Sequence, residues 1–167
     1  MILRASAAFT KRFKCQLSHG GERIPQERRL DAWSCHFVRI GRKPLVLAMN
    51  DATLYALIFP VKGVKGFPEL WMEMLGRIAE VWMKHGAEFD PANQTVMVLS
   101  RTDRSLIGSM NDAVALIRFY NDLANAEREE LDLADMERRS NMTPYKALGY
   151  EHPDRLLARM LGGGWGK

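Results

Sequence analysis

The sequence predicts an α+β domain: an antiparallel sheet of about four or five strands with two long helices on one face and a helical carboxyl-terminal extension. Three observations predict it. Residues 32–59 hold three short apolar stretches separated by turn chemistry at Gly41-Arg-Lys-Pro44 and Asn50-Asp51. Residues 68–86 carry an apolar stripe at helical spacing, and residues 109–124 carry a second. A further short apolar run, Thr95-Val-Met-Val-Leu99, lies between the two stripes and reads as a buried strand.

The elements follow in order. Met1-Ile-Leu-Arg-Ala5 reads as an opening strand and Ala7 to Cys15 as a short basic helix. His19-Gly-Gly-Glu-Arg-Ile-Pro25 is a loop by its glycines and proline, continuing through a charged and mobile stretch to Leu30. Trp33, Cys35, Phe37 and Arg39 alternate with Ser34, His36, Val38 and Ile40, so both faces of that strand are partly apolar. Leu45-Val-Leu-Ala-Met49 is a compact apolar strand, and Thr53 to Phe59 completes an antiparallel meander. Pro68 suits the first turn of a helix, where a missing N–H costs nothing. Leu70, Trp71, Met74, Leu75, Ile78, Val81 and Trp82 give that helix its apolar face, and Gly86 is its left-handed stop.

The second long helix is expected to begin after Ser109, with Ser109 and Asp112 as a capping box of Ser-x-x-acid form. The charged segment 127–139 is expected to prolong it. Thr143-Pro144 and His152-Pro153 each read as a fresh helix start. Residues 1–127 are thus assigned to the core domain. Residues 128–167 form the extension, able to wrap the core or to pair with a second copy as a homodimer, and they end in the flexible glycine-rich tail 162–167.

A chain of 167 residues can bury roughly 70% of the surface its unfolded form exposes. No apolar run approaches the roughly 20 residues of a membrane span, and the amino terminus lacks the apolar core of a secretory signal. Cys15 and Cys35 form no zinc-site pattern and read as a reduced pair. These features predict a cytoplasmic protein with no membrane contact, no metal and no cofactor. The net charge of +4 is uneven: residues 1–50 contribute +7 and the remainder −3. Lys11, Arg12, Lys14, Arg28, Arg29, Arg42 and Lys43 therefore make nucleic acid an alternative partner.

Polar chemistry is densest over Arg101 to Asp112, read as a strand-to-helix junction. Arg101 and Arg104 can bind a phosphate or carboxylate, and the start of a helix offers backbone N–H groups to the same anion. Asp103, Ser105, Ser109, Asn111 and Asp112 complete the candidate ligand-binding set. The plainer reading assigns Ser109 and Asp112 to capping, worth about 1 kcal/mol. Arg101, Arg104, Ser105 and Asn111 exceed what a cap needs. No catalytic residue is assigned, because the four histidines are scattered and there is no Gly-x-Ser-x-Gly elbow or phosphate loop.

Thr102-Asp-Arg-Ser-Leu-Ile-Gly-Ser-Met-Asn-Asp112 resembles the hallmark of a bacterial family of unknown function, marked by a Thr-x-x-Arg-Ser-x-x-Gly-Ser-Met-Asn-Asp run. Met1-Ile-Leu-Arg4, Trp33 and the hairpin from Arg42-Lys43 to Thr53-Leu54 are similar to it as well. The resemblance implies a shared fold, a shared special site and a bacterial or mobile-element setting, and names no reaction. A second phrase, Asn141-Met-Thr-Pro-Tyr-Lys-Ala-Leu-Gly-Tyr-Glu-His-Pro153, is similar to the carboxyl-terminal phrase of some transposase integrase domains. The carboxylate trio those enzymes need cannot be placed here.

Taken together, these residues predict an uncharacterised bacterial binding or regulatory module that recognises an anionic group or a protein partner at Arg101 to Asp112. Nucleic-acid binding through the basic amino-terminal third is the alternative. A hydrolase or nuclease using Asp103, Arg104, Ser105 and Asp112 is the second alternative.

Overall fold

A computed structural model describes residues 1–18, 29–100 and 103–162. The expected mobile stretch before Leu30 and the tail fall largely outside these residues. Five strands form one mixed sheet in the order β4-β3-β2-β1-β5, with β1 at Ile2–Ala5, β2 at Ala32–Ile40, β3 at Lys43–Asn50, β4 at Ala56–Pro60 and β5 at Met97–Ser100. The meander β2-β3-β4 is antiparallel as expected, with Trp33 opposite Asn50 and Leu45 opposite Pro60. β1 instead runs parallel to both neighbours, pairing Leu3 with Trp33 and with Val98. Its chain leaves through a helix and returns beside it, a connection that produces parallel strands.

Helices α1 (Ala7–Phe13), α2 (Phe67–Lys84), α3 (Arg104–Glu127), α4 (Leu133–Met142) and α5 (Pro153–Met160) complete the α+β fold. The two long helices do not share a face. Val46 and Ala48 of β3 point into a cluster with Phe9 of α1 and Leu70, Met74 and Ile78 of α2. Leu45, Leu47 and Met49 point the other way, onto Leu106, Met110, Val114 and Ile117 of α3 and Met136 of α4. A strand that is apolar on both faces must be covered on both, so the helices divide between them.

Local signals explain the helix ends. α2 begins at Phe67 with Pro68 in its first turn, and Ala87 donates its N–H back to the Trp82 carbonyl at 2.9 Å around a left-handed Gly86. α3 begins at Arg104, five residues before Ser109, because Asp103 accepts from Leu106 N at 3.1 Å and serves as the cap. Ser109 lies inside the helix and donates its hydroxyl to the Ser105 carbonyl at 3.2 Å. The charged segment does not prolong α3. Arg128 adopts a left-handed conformation that ends α3, and Asp132 caps a new helix by accepting from Ala134 N and Asp135 N. Pro153 starts α5 as expected, whereas Pro144 precedes only a 3₁₀ turn over Lys146–Leu148. Cys15 and Cys35 are not joined in a disulfide, and burial pushes the Cys15 thiol up to about 11.

The free edge of β4 is sealed by side chains of α4. Asn141 accepts from Ala56 N at 2.7 Å and donates to Ala56 O at 2.9 Å, so its amide occupies the position of a neighbouring strand. One helical turn earlier, Glu137 accepts from Ile58 N at 2.8 Å and pairs with Arg77 of α2 at 2.6 Å. Truncating Asn141 leaves two buried backbone groups unpaired at 1–3 kcal/mol each by general experience. Asn141→Ala should therefore lower the unfolding free energy by about 2–4 kcal/mol in a urea titration. A loss below about 0.5 kcal/mol would mean that the edge finds other partners.

Candidate functional site

Two polar features flank the amino-terminal half of α3. The first lies on the sheet. On the face that carries Leu45, Leu47 and Met49, the register puts Arg4 of β1 beside Ser34 of β2, with His36 two residues further along. Arg4 Nε donates to Asp51 Oδ2 at 2.7 Å and Ser34 Oγ donates to Asp51 Oδ1 at 2.9 Å. The pair is almost dry, with side-chain exposures of 11% for Arg4 and 4% for Asp51. Burial pushes the Asp51 carboxyl above its ordinary range, the bonds from Arg4 and Ser34 pull it back, and the nearby Asp103 raises it again. Beside this group the Ser6 hydroxyl lies 3.0 Å from His36 Nδ1 and accepts from Phe9 N, so it serves as the α1 cap.

Asn50 anchors the turn that carries Asp51. Its Oδ1 accepts from Ala52 N and Thr53 N, and its Nδ2 donates to the carbonyls of Leu30 and Ala32. The sequence expectation of an Asx turn at Asn50-Asp51 holds for Asn50, while Asp51 is directed to Arg4.

The second feature is a hollow of about 390 Å³ on the outer side of α3, lined by Ser105, Gly108, Ser109 and Asp112 together with Tyr145, Lys146 and Ala147. Positions 105, 108, 109 and 112 follow the i, i+3, i+4, i+7 pattern and so share one helix face. A Cβ added at Gly108 would meet nothing within 4 Å. Tyr145 is buried, and burial together with the Asp112 charge pushes its hydroxyl up to about 12.

The sequence-predicted residues therefore separate. Ser105, Ser109 and Asp112 meet in the hollow, with the Ser109 hydroxyl engaged internally. Asp103 is the cap of α3, while Arg104 and Asn111 are exposed on the helix and do not line the hollow. Arg101 lies outside the described residues. Of the basic set, Arg12 donates to the Val64 carbonyl at 3.0 Å, Arg29 pairs with Asp31 and Lys43 pairs with Glu130. Lys11, Lys14 and Arg42 are exposed, and Arg28 lies outside the described residues. Among the described residues no group of three or more His, Cys, Asp or Glu is placed to hold a metal, and no helix is long and apolar enough to cross a membrane.

Sequence reasoning missed Arg4, Asp51, Ser34, Tyr145 and Lys146. The signal for Ser34 was its place in the alternation of β2, a hydroxyl on the face that also carries Val38 and Ile40. Tyr145 and Lys146 had no local signal, because their approach to α3 depends on how α4 crosses the sheet.

The family model of a domain of unknown function, DUF6933, matches residues 2–156. The chain belongs to that family. No curated protein matches it.

The buried pair supports a test. Arg4→Met leaves the Asp51 carboxylate without its cation, a change that costs about 3–5 kcal/mol at neutral pH. Because the Asp51 pKa is already raised in the folded chain, its contribution to stability is present below the ordinary aspartate range and lost as pH rises through the raised value. The Arg4→Met defect should therefore shrink as pH falls and the carboxyl takes up a proton. Adding Asp51→Asn, which keeps an acceptor for Ser34, should recover much of the loss. Urea titrations across the acidic range read this directly, and a pH-independent defect would locate the role of Arg4 elsewhere.

Proposed function

We propose that this member of the DUF6933 family is a binding module that docks a segment of another protein in the hollow between α3 and the Tyr145–Ala147 turn. The observation that carries this reading is Gly108. A glycine inside a helix costs about 1 kcal/mol relative to alanine, and no contact among the described residues demands it here. A Cβ at this position would project into open space in the middle of a polar hollow, where a partner backbone gains from close approach. Around it stand a hydroxyl from Ser105, a carboxylate from Asp112, an ammonium from Lys146 and the ring of Tyr145. Mixed donors and acceptors beside a buried aromatic suit the backbone and side chains of a peptide segment.

A free anion is a poorer fit. Asp103 already occupies the amino terminus of α3, and its carboxylate opposes a second negative group at the same N–H set. Among the described residues the hydrolase alternative gains no histidine in the hollow, and of its four residues only Ser105 and Asp112 line it.

Two outcomes test the proposal. Gly108→Ala should stabilise the chain by about 0.5–1 kcal/mol and weaken partner capture, since the methyl group fills the approach path. A photo-crosslinking amino acid placed at position 108 should give a discrete adduct with a second protein in cells. Asp112→Lys should abolish that adduct with the melting temperature unchanged. The same adduct from a probe at the exposed Met72 of α2, or one insensitive to Asp112→Lys, would overturn the reading.

A further inference from the structure

The sheet contains one place where the helices following adjacent parallel strands part company. β1 feeds α1, whose Phe9 and Phe13 pack on the α2 face, and β5 leads to α3, whose Leu106 and Met110 pack on the opposite face. In open sheets with parallel strands, ligands bind in the crevice that such a divergence leaves outside the carboxyl ends of the strands. A crevice of about 480 Å³ lies there, within the size range of small-molecule sites. Its floor is Ala5, at the end of β1, and Ser100, at the end of β5; one wall is Ala7, Thr10 and Lys11 of α1, and the other is Leu17. The segment carrying Leu17 returns along the outer edge of β5, where Ser18 N donates to Val98 O at 2.8 Å.

The chemistry of the lining is lopsided. Ala5, Ala7 and Leu17 present apolar surface, and the two alanines keep the space open. Thr10 donates its hydroxyl to the Ser6 carbonyl at 3.1 Å. The side chains of Ser100 and Lys11 make no hydrogen bond or ion pair among the described residues, and both residues are exposed. Among the described residues that line it, Lys11 is the only charged one, and it is positive. The backbone N–H groups that would otherwise serve an anion are capped, by Ser6 at α1 and by Asp103 at α3, so the attraction for negative charge comes from Lys11.

We infer that this crevice takes a small organic anion, with an apolar body against Ala5, Ala7 and Leu17 and one carboxylate or phosphate held by the Lys11 ammonium and the Ser100 hydroxyl. The site is separate from the α3 hollow and does not depend on it. Fluorescence titration of the full chain with 2-naphthoate, 2-naphthyl phosphate and the neutral 2-naphthamide tests it, the two anions distinguishing a carboxylate from a phosphate ligand. At least one anion should bind about fivefold more tightly than the amide, the gain available from one exposed charge pair. Lys11→Met should reduce that anion to the level of the amide. Ala7→Trp, at an exposed position, should block the probes with the melting curve unchanged, and Ser100→Trp serves the same purpose if Ala7→Trp impairs folding. Asp112→Lys should leave probe binding intact. Equal affinity for all three probes, no measurable binding of any, indifference to Lys11→Met, or retained binding in a folded plugged variant would overturn the inference.

Discussion

Burial of both faces of β3 is the constraint on which the rest of the molecule depends. Val46 and Ala48 require cover on one side, and Leu45, Leu47 and Met49 require it on the other. Helices must therefore be divided between two layers, and the connections that deliver them leave β1 parallel to its neighbours. With both faces spent, the remaining backbone liabilities are the two edges. At β4 the amide of Asn141 and the carboxylate of Glu137 stand in for a missing strand. At β5 the N–H of Ser18 serves Val98. Side chains and a returning segment thus close what the sheet cannot.

The same constraint places the polar chemistry. Apolar cover from α3 is continuous over β3 and the second half of β2, where Val38 and Ile40 face it. Toward β1 the sheet face turns polar, and Arg4, Ser34 and Asp51 satisfy one another there in near absence of water. Desolvation offsets much of the attraction in a buried charge pair of this kind. The pair joins the strand that begins the chain to the turn that ends β3. Asn50, bonded to Leu30 and Ala32 from the same turn, fixes the entry to β2. These bonds tie β1, the start of β2 and the turn after β3 to one another beside the corner where α1 and α3 diverge.

Much of the secondary structure was legible because its signals are local. Pro68 and Gly86 bracket α2, and the three apolar runs of the meander are separated by residues that favour turns. The start of α3 was not legible. Asp103 and Ser109 are both capable caps, and only the packing of Leu106 against the sheet decides that Asp103 is used. Once the helix begins there, Ser109 bonds within its own turn and the capping-box reading of Asp112 disappears. The break at Arg128 was hidden for a similar reason, since a left-handed arginine carries none of the glycine signal that marks such an ending.

By itself the sequence determined the α+β class, the meander, the placement of α2 and the concentration of polar groups between residues 101 and 112. Those properties depend on spacing within a few residues, where periodicity and turn chemistry act. Tertiary structure alone decided that the long helices lie on opposite faces, that Arg4 meets Asp51, and that Tyr145 and Lys146 complete the hollow over Gly108. Each of these joins residues at least 37 positions apart or sets the side of the sheet on which a helix lands. Such outcomes follow from the burial of whole surfaces, and no local pattern in the chain encodes them.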